Sequence, residues 1–357
     1  MRRITLKYAK PGMVLEQPVY DSFGNVLVDK GKELDAGLVV SMQEKGVTEI
    51  FIRDWRTMDV LAAPLFTPQT EGILTKAFRQ LLLDNEGRQR LSVINLNQVH
   101  LAMLAMIREM NLNMIGDINV SCSISPRDYL YLQPVKTAGL AMALGHGLRL
   151  SPDELAGLGI AAVLKDIGLP KETIENVDWI AEGSSPRMLN HPAIGYKLLN
   201  MHKLTSGDTA KAVHQHHEFW NGSGYPEGLK GKDISIFARI IAVADAFVDL
   251  LTDRPGRVKC LPHQAIEYIM AGGNDQFDPE IVELLVRRIP SYTAGLSVKL
   301  NTGDTGIVVN PKLGYIARPT IRIFQRPAQG ILKNPFDIDL TKPDFQRLLV
   351  TQVLEYD

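Results

Sequence analysis

The chain has 357 residues, 45% of them hydrophobic and 22% charged, with a formal net charge of −1. That length exceeds one ordinary domain and predicts two or three, in a composition typical of soluble globular proteins. Near-neutral charge excludes nucleic acid or an anionic membrane as the expected main partner, whereas a small anionic ligand needs only a local basic cluster. Two cysteines, Cys122 and Cys260, exclude a disulfide framework and suit a reducing cytosol. The opening MRRITLKYAKPGM lacks a signal-peptide core, and no apolar run approaches the roughly 18 residues of a spanning helix. A cytoplasmic protein without a membrane segment is expected.

Residues 1–53 predict a small β-rich N-terminal module. MVLEQPVY and NVLVDKG read as strands joined by the turn Asp21-Ser22-Phe23-Gly24-Asn25. Glu33-Leu34-Asp35 then opens a short helix that Gly46 ends, and Thr48–Ile52 returns as a strand. Residues 54–124 turn helical, with apolar residues at helix spacing in ILTKAFRQLLLDN and VHLAMLAMIREMNLNMIGDI. They are expected to form a linker bundle whose methionines Met103, Met106, Met110 and Met114 line a core, and to offer a homodimer surface.

Residues 125–289 are mostly helical and hold the candidates for chemistry. Ser151 with Glu154 three residues on is a capping box, with Pro152 at the first helical position. The helix climbs through Leu155, Leu158 and Val163 to Lys165-Asp166, a charged pair closing an apolar run. His191-Pro192 opens another helix, and ARIIAVADAFVDLLTDRP sets Asp245 among apolar residues. Residues 290–357 are β-rich: GLSVKLNTGDTGIVVN predicts a hairpin turning at Thr302–Gly306, and RPTIRIFQ a third strand.

The densest chemistry lies in HQHHEFWNGSGYPEGLKG, with His214, His216, His217 and Glu218 followed by the turn cassette Asn221–Pro226. Imidazoles are the commonest metal ligands, and glycines let backbone approach a small anion; the bland reading is a loop of solvated histidines. Asp245 argues against that reading. An unpaired carboxylate inside an apolar helix costs several kcal/mol, so it should be protonated, ion-paired, metal-bound or a cap for a neighbouring helix. With Asp166 and His191, the set is of mixed O and N donors suited to iron, manganese or zinc.

These residues carry a resemblance. AAVLKDIGLP, NHPAIGYKLL, HQHHEFWNGSGYPEGLKG, ARIIAVADAFVDLLTDRP and FDPEIVELLV, in that order, resemble the HD-GYP family, a branch of the HD metal-dependent phosphohydrolases linked to cyclic di-GMP hydrolysis. The resemblance implies a mainly α fold. A helical HD-type domain would be flanked by a small N-terminal α+β module and a small C-terminal β-rich module. It also implies metal ligation by Asp166, His191, His216, His217 and Asp245, with the Gly224-Tyr225-Pro226 loop beside the site. Arg254, Arg257 and Tyr225 are the expected ligand-binding residues, and Gly224, Tyr225 and Pro226 the expected partner-binding surface.

The chain departs from the family pattern at specific positions. Lys165 stands where the family has the histidine of its HD pair, and Gln133 where it has an upstream histidine ligand. Leu169 replaces a lysine, Gly256 an aromatic, and the segment 170–190 is atypical. In-line phosphodiester cleavage is usually shared between two metals that lower the pKa of the attacking water. Losing two imidazoles removes ligands from one position, and the Lys165 ammonium repels a cation there. That ammonium is expected to stand in for a metal between Asp166 and Asp245, leaving one divalent transition metal or none.

Three readings follow. The first is a degenerate HD-GYP protein that binds or regulates in cyclic di-GMP signalling with weak or absent phosphodiesterase activity. The second is an active phosphodiesterase with an altered metal site. The third is a scaffold docking partners such as diguanylate cyclases through the GYP loop. Arg239, Arg254, Arg257 and Lys259 read first as solvated surface charge and second as phosphate contacts. Glu218 either orients an imidazole or faces solvent, Trp220 either stacks on a purine or packs the loop, and Ser223 serves the turn.

Overall fold

The computed structural model describes residues 1–60, 66–84, 92–113, 129–169, 189–202, 206–252, 257, 259–312, 314–315 and 317–354. The N-terminal module pairs β1 (Arg2–Thr5) antiparallel with β4 (Glu49–Ile52), and β2 (Val19–Tyr20) with β3 (Val26–Val28). The hairpin turn forms at the expected residues, because the Asp21 carboxylate accepts from the Phe23 and Asn25 amides. Its strands are shorter than the apolar runs suggested. Pro18 has no N–H to give a ladder, and Val14 and Leu15 make only isolated bridges to Glu33 and Ile52. Helix α1 (Ala36–Glu44) is capped by Asp35, whose side chain accepts from the Leu38 amide, and Gly46 follows it at φ +77°.

The helical part comprises α2 (Pro68–Asp84), α3 (Val93–Asn113), α4 (Tyr129–Gly147), α5 (Pro152–Leu164), α6 (His191–His202), α7 (Gly207–Gln215), α8 (Ile236–Leu250), α9 (Pro262–Ala271) and α10 (Pro279–Arg288). The Ser151–Glu154 capping box is formed in both directions, with Pro152 in the first turn of α5. One core cluster runs from Phe66 to Ile289 through these helices. Met103, Met106 and Met110 are wholly buried within it, as their spacing implied; Met114 lies outside the described residues. Helices α5 and α8 thread the centre of this core, so polar groups on them emerge only where the helices end or meet an opening.

The C-terminal sheet has five antiparallel strands in the order β8-β7-β6-β5-β9: β5 (Ser297–Leu300), β6 (Thr305–Asn310), β7 (Thr320–Arg326), β8 (Gly330–Asp339) and β9 (Val350–Leu354). The β5–β6 turn is tighter than expected. Thr305 and Gly306 pair as strand residues, with Lys299 and Val298, and Gly303 takes the left-handed conformation at φ +84°. The fold is thus mainly α, with a small α+β module before it and a β-rich one after it. No helix among the described residues is long and apolar enough to cross a membrane.

The two small modules hold each other as well as the helices. The Arg3 amide donates to the Gly295 carbonyl at 3.0 Å, and Arg322 on β7 reaches Asp59 at 2.6 Å.

Candidate metal centre

Each functional side chain is delivered by the end or the polar face of a core helix. Asp166 lies in the turn after α5, His191 begins α6, and His216 and His217 close α7. The turn after α5 must lie flush on α6. A Cβ on Gly168 would collide with the His191 carbonyl and the Gly195 amide, so the Asp-Ile-Gly turn locks Asp166 against His191.

The four donors converge. One ligand atom from each of Asp166, His191, His216 and His217 lies within 4.8 Å of the others. His191 Nε2 is 3.3 Å from Asp166 Oδ1 and 3.2 Å from His216 Nε2. His216 Nδ1–H donates to the Val213 carbonyl at 2.8 Å, which leaves the lone pair of the neutral ring on Nε2, facing the cluster. Burial pushes the His216 pKa down, against the pull of Asp166. Burial also drives His217 well down, helped by the two neighbouring imidazoles. Both rings are therefore neutral donors at physiological pH. One carboxylate and three imidazoles suit one borderline divalent cation, a four-donor set of the kind iron, manganese or zinc takes.

Asp245 is not part of this cluster. Its Oδ1 receives the Lys165 ammonium at 3.1 Å, the Gln133 amide at 2.5 Å and the Thr137 hydroxyl at 3.3 Å. The same ammonium bonds Asp166 Oδ2. Lys165 is 4% exposed, while the Asp166 and Asp245 side chains are 24% and 22% exposed. The cation is thus more deeply buried than the two carboxylates it joins. Burial alone would lower the Lys165 pKa, but the two carboxylates raise it above its ordinary value. Burial likewise pushes Asp166 up, and Lys165 with the two imidazoles holds it well below the usual carboxylate range. A second cation would have to displace an ammonium already satisfied by both acids, so the residues do not fit a second metal.

Thr137 is a partner that the sequence reading missed. It lies one turn after Gln133 on α4, the spacing that puts both on one helix face, and that periodicity was the available signal. A second rung repeats the pattern: the Tyr129 hydroxyl donates to Asp249 at 2.7 Å, with Tyr129 one turn before Gln133 and Asp249 one turn after Asp245. Arg257 joins it, 2.9 Å from Asp249 Oδ2. Arg254, Gly256 and residues 170–188 lie outside the described residues.

The Gly-Tyr-Pro loop is built against the histidines. The Tyr225 ring stacks on His217 with centroids 4.7 Å apart and planes 19° from parallel, and its amide donates to the His217 carbonyl. Burial and the Asp166 charge push the Tyr225 phenol up to about 12, so it keeps its proton. Gly224 admits no side chain, because a Cβ would meet the Phe219 amide and the His217 carbonyl. Pro226 follows Tyr225 through a cis peptide bond. The Ser223 amide and hydroxyl both donate to Asn221 Oδ1, a turn role.

Two expectations about nearby polar groups are corrected, and Trp220 takes a packing role. Glu218 neither orients an imidazole nor faces solvent: it is 2% exposed, and its carboxylate accepts the Glu227 and Leu229 amides at 2.7 and 3.0 Å, pinning the far side of the loop. Arg239 and Lys259 are not solvated surface charges; they pair with Asp278 at 2.5 Å and Glu49 at 2.8 Å. Trp220 lies beneath the Arg239 guanidinium, 5.8 Å from ring centroid to Cζ, where it helps hold that residue in place.

Residues 109–281 match the HD domain family. A cyclic di-GMP phosphodiesterase of Pseudomonas aeruginosa is 28% identical over 200 residues, covering 55% of this chain and 48% of that protein. A cyclic di-GMP phosphodiesterase response regulator of Xanthomonas campestris pv. campestris is 37% identical over 153 residues, covering 42% of this chain and 40% of that protein. The chain spans about half the length, or less, of these curated relatives. Among solved structures, a HDG"Y"P protein from Bdellovibrio bacteriovorus aligns over 79% of this chain and 97% of its own, with a TM-score of 0.52 and 17% identity, a likeness of fold.

Proposed function

The chain belongs to the HD domain family, in its HD-GYP branch, and from that premise we propose that it serves cyclic di-GMP signalling as a binding or regulatory component with weak or absent phosphodiesterase activity. The observation that carries this reading is the Lys165 ammonium between Asp166 and Asp245. In-line cleavage of a phosphodiester uses one cation to activate the attacking water and another to stabilise the leaving oxygen. Here a lysine neutralises the carboxylates of one position, and Gln133 donates to an acid where a histidine would offer a lone pair. An ammonium supplies charge but no coordination site, so it neutralises the two acids without generating a nucleophile.

The retained parts suit recognition. Asp166, His191, His216 and His217 can hold one divalent cation, whose chemistry when bound is to attract and polarise phosphate oxygens. Tyr225 presents a protonated phenol beside it. Arg257, tethered to Asp249, offers a guanidinium one helical turn from Asp245. Calorimetric titration of the purified chain with cyclic di-GMP, with and without manganese, tests the reading: binding that saturates with the nucleotide recovered intact supports it, and no binding in either condition refutes it.

A second reading is favoured by one observation. The four-donor cluster is complete, so a one-metal phosphodiesterase has the ligands it needs for slow turnover. Product formation that rises with manganese and vanishes in His191→Ala would establish it over the first.

A further inference from the structure

Away from the histidine cluster, a cleft of about 390 Å³ opens where all three parts of the chain meet. Its walls come from β1 and the residues after it, from Val47 to Glu49 of the N-terminal module, from Leu251 at the end of α8 and Lys259 to Pro262, and from Leu296, Val353 and Leu354 of the C-terminal sheet. That volume falls in the range of small-molecule sites, which combine a mostly apolar lining with a few convergent polar groups.

The polar groups are lopsided in charge. Among the described lining residues Arg3, Lys7 and Lys259 are cationic, and Glu49 is the one acid. Glu49 is held on both sides: Oε2 accepts from Arg3 Nε at 3.0 Å and Oε1 from Lys259 at 2.8 Å. Its side chain is 13% exposed, and although burial pushes its pKa up, those two cations hold it at about 2. A single fixed carboxylate thus holds Arg3 and Lys259 side by side, and Arg3 Nη1 also donates to Thr293 Oγ1 at 3.2 Å. Ile4, Leu6, Leu261, Leu296 and Val353 supply apolar lining.

We infer that this cleft is a binding site for a small amphipathic anion, whose carboxylate or phosphate head meets Arg3 and Lys259 and whose apolar body lies on the wall around Leu261 and Val353. The inference stands apart from the metal-centre reading and would survive its failure. Leu251, which lines the cleft, directly follows α8, the helix that carries Asp245 and Asp249, so occupancy also touches the helix beside the metal centre. The Cys260 amide bonds the Leu250 carbonyl at 2.7 Å, fastening the cleft wall to that helix end.

Cys260 is partly exposed and lines the cleft, which gives a local readout. The full chain carrying Cys122→Ser leaves Cys260 as its one thiol, and its modification by a maleimide is timed with octanoate, octan-1-ol or acetate present. Octanoate is expected to slow labelling about tenfold at saturation, with octanol and acetate having little effect. Lys259→Met should weaken octanoate about tenfold, and Lys259→Arg should restore it, because only the charge is required. Should Lys259→Met not fold, the comparison of octanoate with octanol on the unsubstituted site decides alone. Equal protection by octanol removes the anion from the proposal, and no protection by octanoate overturns the site.

Discussion

The Lys165 ammonium lies 3.1 Å from Asp245 Oδ1 and also bonds Asp166, so one buried cation joins the end of α5 to the middle of α8. On the reading proposed above, this internal ion pair stands in for coordination of a cation. Its consequences can be measured without knowing the natural ligand.

Lys165→Met should destabilise the chain strongly. The substitution leaves two carboxylates without their cation, and they are only about a quarter open to solvent. Removing one partner of a buried pair costs about 3–5 kcal/mol, and the partial exposure of the acids puts this case near about 3 kcal/mol. Thermal melts with and without manganese check it: a lower Tm that divalent metal restores in part is expected. A change of only a few tenths of a kcal/mol would mean the ammonium is dispensable.

Metal content should follow the donors. Protein purified without supplementation should carry no more than one transition metal per chain, because Asp245 Oδ1 is occupied by Lys165, Gln133 and Thr137. The double variant Lys165→His with Gln133→His restores two neutral nitrogen donors and should raise occupancy in elemental analysis. Two metals per chain in the unsubstituted protein would contradict this.

Much of the centre was legible in the sequence, because helix periodicity and the Gly-Tyr-Pro cassette are local signals. The capping box at Ser151 and the burial of the methionines on α3 rest on patterns within short windows, whereas the grouping of Asp166, His191, His216 and His217 comes from the family resemblance. Contacts between distant elements were not legible. That Gln133 and Thr137 both serve Asp245 depends on how α4 crosses α8, and that Lys259 pairs with Glu49 depends on two modules meeting across 210 residues of sequence. Glu218 was misread for a related reason: a charged residue beside histidines looks like their partner, and only the path of the loop reveals the two amides it caps.

Glu218→Ala should loosen the loop more than its distance from the cluster suggests. Hydrogen bonds to a charged acceptor contribute about 1.5–3 kcal/mol each, and two partly buried hydrogen bonds from amides would be lost. A loss of about 3 kcal/mol in denaturant unfolding is expected, with faster hydrogen exchange at Glu227 and Leu229. Unchanged exchange at those amides would show that the loop holds without the brace.

Acid should weaken the junction of the modules through Glu49. Its folded pKa of about 2 lies below the ordinary 4.5, so its contribution is fully present above pH 4.5 and is lost as pH falls through about 2. That shift corresponds to about 3 kcal/mol at neutral pH. Glu49→Gln should therefore destabilise the chain at pH 7 and flatten its stability profile between pH 4.5 and 2. Parallel profiles for the two proteins over that interval would rule the linkage out.

The most direct test of the regulatory reading is steady-state hydrolysis of cyclic di-GMP by the purified full chain in saturating manganese or iron. That reading has the Lys165 ammonium fill one catalytic position, so turnover should stay orders of magnitude below the 1 s⁻¹ or so at which ordinary enzymes begin. Turnover at about 1 s⁻¹ or faster, lost in His191→Ala, would contradict it.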